Sequence, residues 1–213
     1  SCSTRALTAA LILATREEPD PMGTTREATS DLAVSPRQMV LLSRTAWLVL
    51  CAAMIATALM AGLYYSYAIS VMPGLARVDD RMFVTVMQNI NEVIQNAAFA
   101  AAFAGAVVLA GAAAILQWRL GRRAATRWTV AALIFYVVSL AITMGINVPL
   151  NDQLAAAGDP SQILDLAAVR RTFEGLWVTA NVARTVACLL ALVCFGQALS
   201  LHGRGEAVGP DPR

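Results

Sequence analysis

The chain has 213 residues, of which 58% are hydrophobic and only 14% are charged. A soluble domain carries about a quarter charged residues, so this composition excludes an ordinary soluble protein and indicates a membrane protein. The formal net charge of +2 is too small and too scattered for a nucleic-acid partner, which requires a concentrated basic surface.

The two ends of the chain differ from the rest. Residues 1–36 are rich in charges, prolines and threonines, and their one apolar stretch, residues 6–14, is too short to span a bilayer. We expect a disordered N-terminal tail over residues 1–36. Met22 resembles a natural start, which makes residues 1–21 candidate upstream sequence. A second disordered tail is expected over residues 202–213, which leaves residues 37–201 as the membrane domain.

Four apolar runs between the tails reach the roughly 20 residues that the hydrocarbon core of a bilayer requires. They lie at about 46–71, 93–118, 128–146 and 176–199. Because a segment in lipid must satisfy its own backbone hydrogen bonds, each run is expected to be a helix. The sequence thus predicts an all-α fold, an integral membrane four-helix bundle with short interfacial helices in its outer loops.

The arginines predict the orientation of this bundle. Arg37 and Arg44 precede the first span, and four more arginines crowd the short link between the second and third spans, which is typical of cytoplasmic loops; these are Arg119, Arg122, Arg123 and Arg127. The other two loops mix arginines with aspartates and are expected outside, so both termini are cytoplasmic. All 16 basic residues are arginine and alanine is abundant, from which we expect a bacterial inner (cytoplasmic) membrane protein.

The outer loops are expected to contain helices of their own. Pro73 and Gly74 are predicted to end the first span, after which apolar residues recur at helical spacing from Met82 to Ile94. We expect this segment to be an interfacial helix that continues into the second span. Residues 161–174 likewise predict a connecting helix on the membrane surface.

Arg184 lies roughly 12 Å below the outer end of the fourth span, at about 1.5 Å per residue. A charge at this depth needs a counter-ion or a wet cavity, and Glu92 and Asp152 are the candidate ion-pair partners. Polar and aromatic residues from all four spans share this depth: Tyr64, Asn89, Asn96, Asn147, Asn151, Trp177 and Asn181. Singly, such residues serve as interhelical hydrogen-bond partners or as an interfacial belt. Because helix association alone does not require a buried charge, the set predicts a polar pocket in the outer half of the bundle.

The sequence offers little for a metal or a bound cofactor. The cysteines, Cys2, Cys51, Cys188 and Cys194, lack the spacing of a metal site, and three of them lie in apolar runs as small buried side chains. The one histidine, His202, follows the last apolar run. We therefore expect no metal and no cofactor.

Four short motifs, "VMPGLARVDD", "MQNINEVIQN", "NVPLNDQL" and "LWVTANVARTV", occur in this order along the chain. Together they resemble the anthrone oxygenase-like family of small four-helix membrane proteins, long catalogued as a domain of unknown function, over about residues 48–199. The resemblance implies that the chain could share the activity of some fungal members, which oxidise an anthrone to an anthraquinone. It implies no catalytic residues, because none are established for the family.

The polar set is compatible with such chemistry, in which a proton leaves an acidic ring carbon and dioxygen adds to the resulting enolate. A carboxylate in an apolar pocket is a useful base, and Glu92 is the first candidate, Asp152 the second. Arg184 is expected to stabilise the developing oxyanion with the help of asparagines. Residues expected to contact the substrate are Tyr64, Asn89, Asn96, Asn147, Asn151, Trp177 and Asn181.

Two other functions remain open. The same pocket without chemistry predicts a membrane module that binds a lipophilic small molecule or a membrane lipid, or that assists a partner protein. A transporter is a weaker alternative, because no second Gly/Pro-broken helix is evident to match the one at Pro149. There, in "GINVPLNDQL", the third helix is predicted to break and line the pocket, with Arg184 at its floor and Asp152 at its mouth.

Overall fold

A computed structural model describes residues 35–207 of the chain. The chain divides into two units, residues 1–39 and residues 40–213. In the first unit, the backbone amide of Ser35 donates to Oε1 of Gln38 at 2.9 Å and the amide of Gln38 donates back to Oγ of Ser35 at 3.3 Å, a capping box that begins a helix. The predicted tails over residues 1–34 and 208–213 lie outside the described residues. All contacts below belong to the second unit.

The described residues form helices and connecting turns, and none of them forms a strand. The α-helices are α1 (Pro36–Ser66), α2 (Met72–Leu75), α3 (Asp80–Val93), α4 (Ala97–Arg119), α5 (Arg123–Ile142), α6 (Val148–Ala156) and α7 (Leu166–Ala207). Two π-helical turns, Tyr67–Val71 and Thr143–Asn147, join α1 to α2 and α5 to α6. The all-α prediction is confirmed.

Four helical segments are long and apolar enough to cross a membrane: Pro36–Leu75, Ala97–Arg119, Arg123–Ala156 and Leu166–Arg204. These are the first to fourth spans, and each contains most or all of one predicted apolar run. Large apolar side chains such as Ile55, Val108 and Val193 are more than half exposed on their outward faces, as expected of surfaces that contact lipid. The fold is that of a four-span helical membrane protein.

The predicted boundaries are wrong at two places in the outer loops. The helix after the first span does not continue into the second, because the chain leaves helical geometry after Ile94 and the side chain of Asn96 accepts a hydrogen bond from the amide of Phe99 as the N-cap of α4. The surface helix expected over residues 161–174 is not separate, because α7 begins at Leu166 and runs without interruption through the fourth span.

Pro73 and Pro149 do not break their helices. The amide of Met72 donates to the carbonyl of Tyr67 and the amide of Val148 to that of Thr143, five residues back instead of four. A π turn of this kind accommodates one extra residue, and the proline that follows sits in the first turn of the next helix, where a backbone N–H is not needed. The first span therefore ends at Leu75, beyond Gly74, and the third at Ala156. The predicted break of the third helix at Pro149 is therefore wrong, and the first span carries a matching π turn before Pro73.

Two clusters of buried apolar side chains hold the helices together. The bundle core lies among the spans, where small residues let the backbones approach closely; its larger members are Leu50, Met60, Tyr64, Tyr136 and Phe195. The outer cluster packs α3 against the outer ends of the spans; its members are Met72, Phe83, Val84, Met87, Leu150, Leu154, Phe173 and Trp177.

Helix α7, which forms the fourth span, is longer than a membrane crossing requires. Its 42 residues correspond to about 60 Å at 1.5 Å per residue, roughly twice the hydrocarbon thickness. The outer extension carries Phe173 into the outer cluster. At the other end His202 is fully buried and hydrogen-bonded to Gln117 at 2.8 Å, so residues 202–207 belong to the helix and not to the predicted tail.

Candidate functional site

A cavity of about 290 Å³ lies where the bundle core meets the outer cluster. We call it the inner chamber. Its size is at the lower end of the range for small-molecule sites. Polar and apolar side chains from all four spans line it: Leu63, Tyr64, Tyr67, Asn91, Ile94, Gln95, Phe99, Thr143, Asn147, Val148, Asn151, Asp152, Trp177 and Arg184.

A second cavity, of about 490 Å³, adjoins the first, and we call it the outer chamber. Asn91, Gln95, Asn151 and Asp152 line both chambers and thus form the boundary between them. Most of the other lining residues of the outer chamber, including Glu92, are exposed. The outer chamber is therefore the polar approach to the inner one.

Arg184 is the charged group of the inner chamber and is only 6% exposed. Its Nε and Nη2 donate to Oδ1 of Asn181 at 3.2 and 3.0 Å, and Nη1 lies 3.4 Å from Oγ1 of Thr143. The guanidinium carbon lies 4.0 Å from the centre of the Tyr64 ring and 5.2 Å from that of Trp177. Two aromatic faces and neutral oxygens thus solvate this cation.

The expected ion pair of Arg184 is absent. Within residues 35–207, no carboxylate forms a salt bridge with Arg184, and the acidic partners that are present there belong to Arg170. Asp152 is exposed at the boundary of the two chambers, whereas Glu92 lines only the outer chamber. Among the described residues, the buried positive charge is therefore solvated by neutral groups and is not ion-paired.

Asn181 holds Arg184 in place. Its Nδ2 donates to the backbone carbonyl of Tyr64 at 2.9 Å, so the amide oxygen must point the other way, towards the guanidinium. The residue is fully buried and connects the fourth span to the first. Asn181 thus orients the cation without itself lining the chamber.

Two buried amide atoms at the inner chamber have no hydrogen-bond partner among the described residues. They are Oδ1 of Asn147 and Nδ2 of Asn91. Asn147 is 1% exposed, and its Nδ2 donates to the backbone carbonyl of Trp177 at 3.2 Å. An unsatisfied buried polar atom is costly, which makes such atoms informative about what a site binds.

Aromatic rings form one wall of the chamber. The indole N–H of Trp177 donates to Oδ1 of Asn151 at 2.8 Å, and the Tyr67 ring lies 5.5 Å away at an angle of 47°. Asn151 thus orients Trp177, and the mutually tilted rings of Tyr67 and Trp177 line this wall together with Tyr64.

Helix α3 covers the outer side of the site. Arg170 fastens it, because this side chain donates to Asp80 at 3.0 Å, to Glu174 at 2.7 Å and to the backbone carbonyl of Val78 at 2.9 Å, and lies over the Phe83 ring. No local pattern in the sequence indicates this role, because a loop arginine among acidic residues predicts only the topology of the chain.

Some predicted site residues lie elsewhere. Asn89 is exposed and lines neither chamber, and Asn96 is the cap of α4. Asn91, which sequence reasoning missed, lines the inner chamber where Asn89 and Asn96 were expected. The structure brings together Tyr64, Asn147, Asn151, Trp177, Asn181 and Arg184, with Asp152 at the boundary and Glu92 outside it.

The loop beyond the outer chamber contains one perturbed carboxylate. The backbone amide of Ser161 donates to Oδ1 of Asp159 at 2.8 Å, and this bond lowers the pKa of the Asp159 carboxyl below its ordinary value. Asp159 therefore stays ionised at neutral pH and adds negative charge to the outer chamber.

The fold and the site define a class of protein: a four-span helical membrane protein with a largely enclosed polar cavity, built around a buried arginine. The family model described as anthrone oxygenase matches residues 83–194, more than half of the chain. The chain belongs to the anthrone oxygenase family. The match begins within α3, so Tyr64 and Tyr67 of the first span lie outside it. Comparisons with curated proteins and with solved structures give no match.

Proposed function

We propose that the protein is a membrane-embedded oxygenase of a lipophilic phenolic or polycyclic ketone of the anthrone type. The observation that carries the proposal is Arg184, a buried cation that lines the inner chamber and has no carboxylate paired to it among residues 35–207. A site of this kind favours a substrate that becomes an anion as it reacts, because the charge is already in place and needs no reorganisation. Membership of the family supports the same reaction class.

The reaction balances with dioxygen as the oxidant. A base removes a proton from the acidic ring carbon opposite the ketone, and the electron pair moves to the ketone oxygen as an enolate. Dioxygen adds at that carbon and forms a hydroperoxide after protonation. Loss of the second hydrogen from the carbon and cleavage of the O–O bond release water and leave a second carbonyl. The sum is anthrone plus dioxygen to anthraquinone plus water, and no cofactor takes part in these steps.

The described residues supply three roles. Asp152 is the better placed base, because it lines both chambers and can pass the proton from the inner chamber to the exposed outer chamber. Glu92 lines only the outer chamber. Arg184, oriented by Asn181, stabilises the enolate oxygen. The rings of Tyr64, Tyr67 and Trp177 offer flat surfaces to a polycyclic substrate.

The arginine distribution supports an inner-membrane protein with both termini cytoplasmic and the two chambers on the outer side. A polycyclic ketone dissolves in the hydrocarbon region and needs no aqueous route to the inner chamber. Asp152, at the boundary of the two chambers, instead gives the released proton and water a route to the outer chamber.

Turnover of anthrone by the purified full chain in lipid nanodiscs, followed by anthraquinone absorbance and oxygen uptake, tests the proposal. Asp152→Asn is expected to lower kcat at least about 100-fold, the usual size of a general-base contribution. Asp165→Asn is the matched control, because Asp165 caps α7 by accepting from the amide of Ala168 and lines neither chamber, and asparagine caps a helix equally well.

Glu92→Gln decides between the two carboxylates. A larger loss for Glu92→Gln than for Asp152→Asn would assign the base to Glu92. Unchanged turnover in Asp152→Asn, Glu92→Gln and Arg184→Met would refute the mechanism. Tight binding of anthraquinone by a protein that never produces it from anthrone would favour a lipophile-binding module.

A further inference from the structure

Asn147 lines the inner chamber and has an unpaired acceptor. The side chain is 1% exposed, and its Nδ2 donates to the carbonyl of Trp177, which can only accept. The amide therefore cannot be turned round, and its oxygen must be the free end. Oδ1 of Asn147 is buried with no partner within the described chain.

Asn91 presents the complementary group. Its Nδ2 is buried and without a partner among the described residues, and the residue lines both chambers. The inner chamber thus has one unsatisfied acceptor on a lining residue of the third span, and its boundary with the outer chamber has one unsatisfied donor on a residue of α3. A ligand that satisfies both must itself carry a hydrogen-bond donor and an acceptor.

We infer that Asn147 is a specificity-determining residue that accepts a hydrogen bond from a hydroxyl group of the ligand, while Asn91 donates to a ligand oxygen. The inference rests on the proposed function for the aromatic ketone scaffold, and it adds that this scaffold bears a hydroxyl in the inner chamber. A ligand without the hydroxyl leaves Oδ1 of Asn147 buried and unpaired, which costs about 10- to 100-fold in affinity.

Neighbouring groups agree with a hydroxyl at this position. Asn147 and Thr143 lie one turn apart on the same π turn, and Thr143 contacts Arg184 through Nη1 at 3.4 Å. A phenol that donates to Asn147 is therefore close to the cation that stabilises negative charge on the ring system.

Binding of unreactive product analogues tests this inference separately from turnover. The probes are anthraquinone, a monohydroxyanthraquinone and the corresponding monomethoxyanthraquinone, which has the same substitution but no donor. With the full chain in nanodiscs, fluorescence quenching of tryptophan gives each Kd. We expect the monohydroxy compound to bind wild type at least about 10-fold more tightly than the methoxy compound.

Three variants separate the two amides. Asn147→Leu is expected to reduce the hydroxy-to-methoxy preference to about one. Asn91→Leu is expected to weaken all three quinones together and keep the preference, since each carries the carbonyl to which Asn91 donates. Gln197→Leu, an exposed amide of the fourth span outside both chambers, is the matched control and should behave as wild type.

Several results overturn the inference. One is equal binding of hydroxy and methoxy compounds by wild type, which remains informative if Asn147→Leu does not fold. Another is an undiminished preference in folded Asn147→Leu, which would mean that water satisfies Oδ1.

A hydroxyl preference with no turnover of any anthrone would refute the proposed oxygenase and leave this inference intact. Failure of every tricyclic probe to bind refutes both.

Discussion

Replacing Asn181 by alanine tests whether neutral groups stabilise the buried cation. The substitution removes one bond to the carbonyl of Tyr64, worth about 0.6 kcal/mol on average inside a membrane. It also removes the oxygen that two guanidinium nitrogens of Arg184 share, worth about 1.5–3 kcal/mol for a charged group. Asn181→Ala should therefore lower the free energy of unfolding by about 2–4 kcal/mol.

The assay is reversible unfolding in mixed micelles, followed by circular dichroism. A loss of that size corresponds to a fall in Tm of about 4–16 °C for a chain of this length. Asn181→Asp is the informative second variant, since it keeps an oxygen beside Arg184 and adds a negative charge there, while it replaces the donor to Tyr64 by a second acceptor. We expect it to be destabilised less than Asn181→Ala.

A double-mutant cycle with Arg184→Met isolates the contribution of the charge. Without the guanidinium, Asn181→Ala should cost only the bond to Tyr64, so the coupling energy is expected to be about 1.5–3 kcal/mol. An equal cost of Asn181→Ala in both backgrounds would falsify the claim that Asn181 solvates Arg184, and would leave interhelical attachment as its whole role.

Two further predictions concern the outer side of the molecule. Glu92→Gln and Asp152→Asn should each change the free energy of unfolding by less than about 0.5 kcal/mol, because neither carboxylate forms an ion pair among the described residues; a loss of several kcal/mol in either would show a pair with Arg184. Arg170→Met should raise amide hydrogen exchange throughout α3, because it removes the bonds to Asp80 and to the carbonyl of Val78, while exchange in α5 stays as in wild type. Equal increases in the two helices would instead indicate global destabilisation.

The four spans could be predicted from the sequence because the bilayer imposes both their length and their helical hydrogen bonding. The central group of the site could be predicted for a related reason. Arg184, Asn147 and Asn181 are polar residues at a depth where lipid tolerates them only if they turn inward. Tyr64 and Trp177 were placed correctly on the same argument. None of this required knowledge of side-chain contacts.

Asn89, Asn91 and Asn96 show what the sequence alone could not resolve. Asn89 and Asn96 could both line the pocket only if one helix ran through them, but the chain leaves helical geometry after Ile94. The break follows from Asn96, whose side chain caps the next helix instead of entering the pocket. Spacing alone does not distinguish an asparagine that caps from one that lines a cavity, and so Asn91 was missed.

The predicted start of α7 is wrong for a similar reason, because a different residue caps the helix. Residues after "GDP" predicted a helix from Ser161, whereas Asp165 provides the cap, since its side chain accepts from the amide of Ala168 at 2.8 Å. Arg170 then falls on the first turns of α7, where it reaches α3 across the loop. Such tertiary contacts, between residues 90 positions apart, leave no local pattern in the sequence.

The π turn of the third span separates two registers of one helix. Each residue of an α-helix advances about 100° around the axis, so one additional residue rotates everything beyond it by that amount. Thr143, Asn147 and Asn151 all line the inner chamber, and the π turn that contains the first two sets their register relative to the inner part of the span. The part of the span before the π turn can thus be selected for packing in the bundle core, and the part after it for the lining of the chamber. The lining of the chamber can therefore change in evolution without repacking the bundle core.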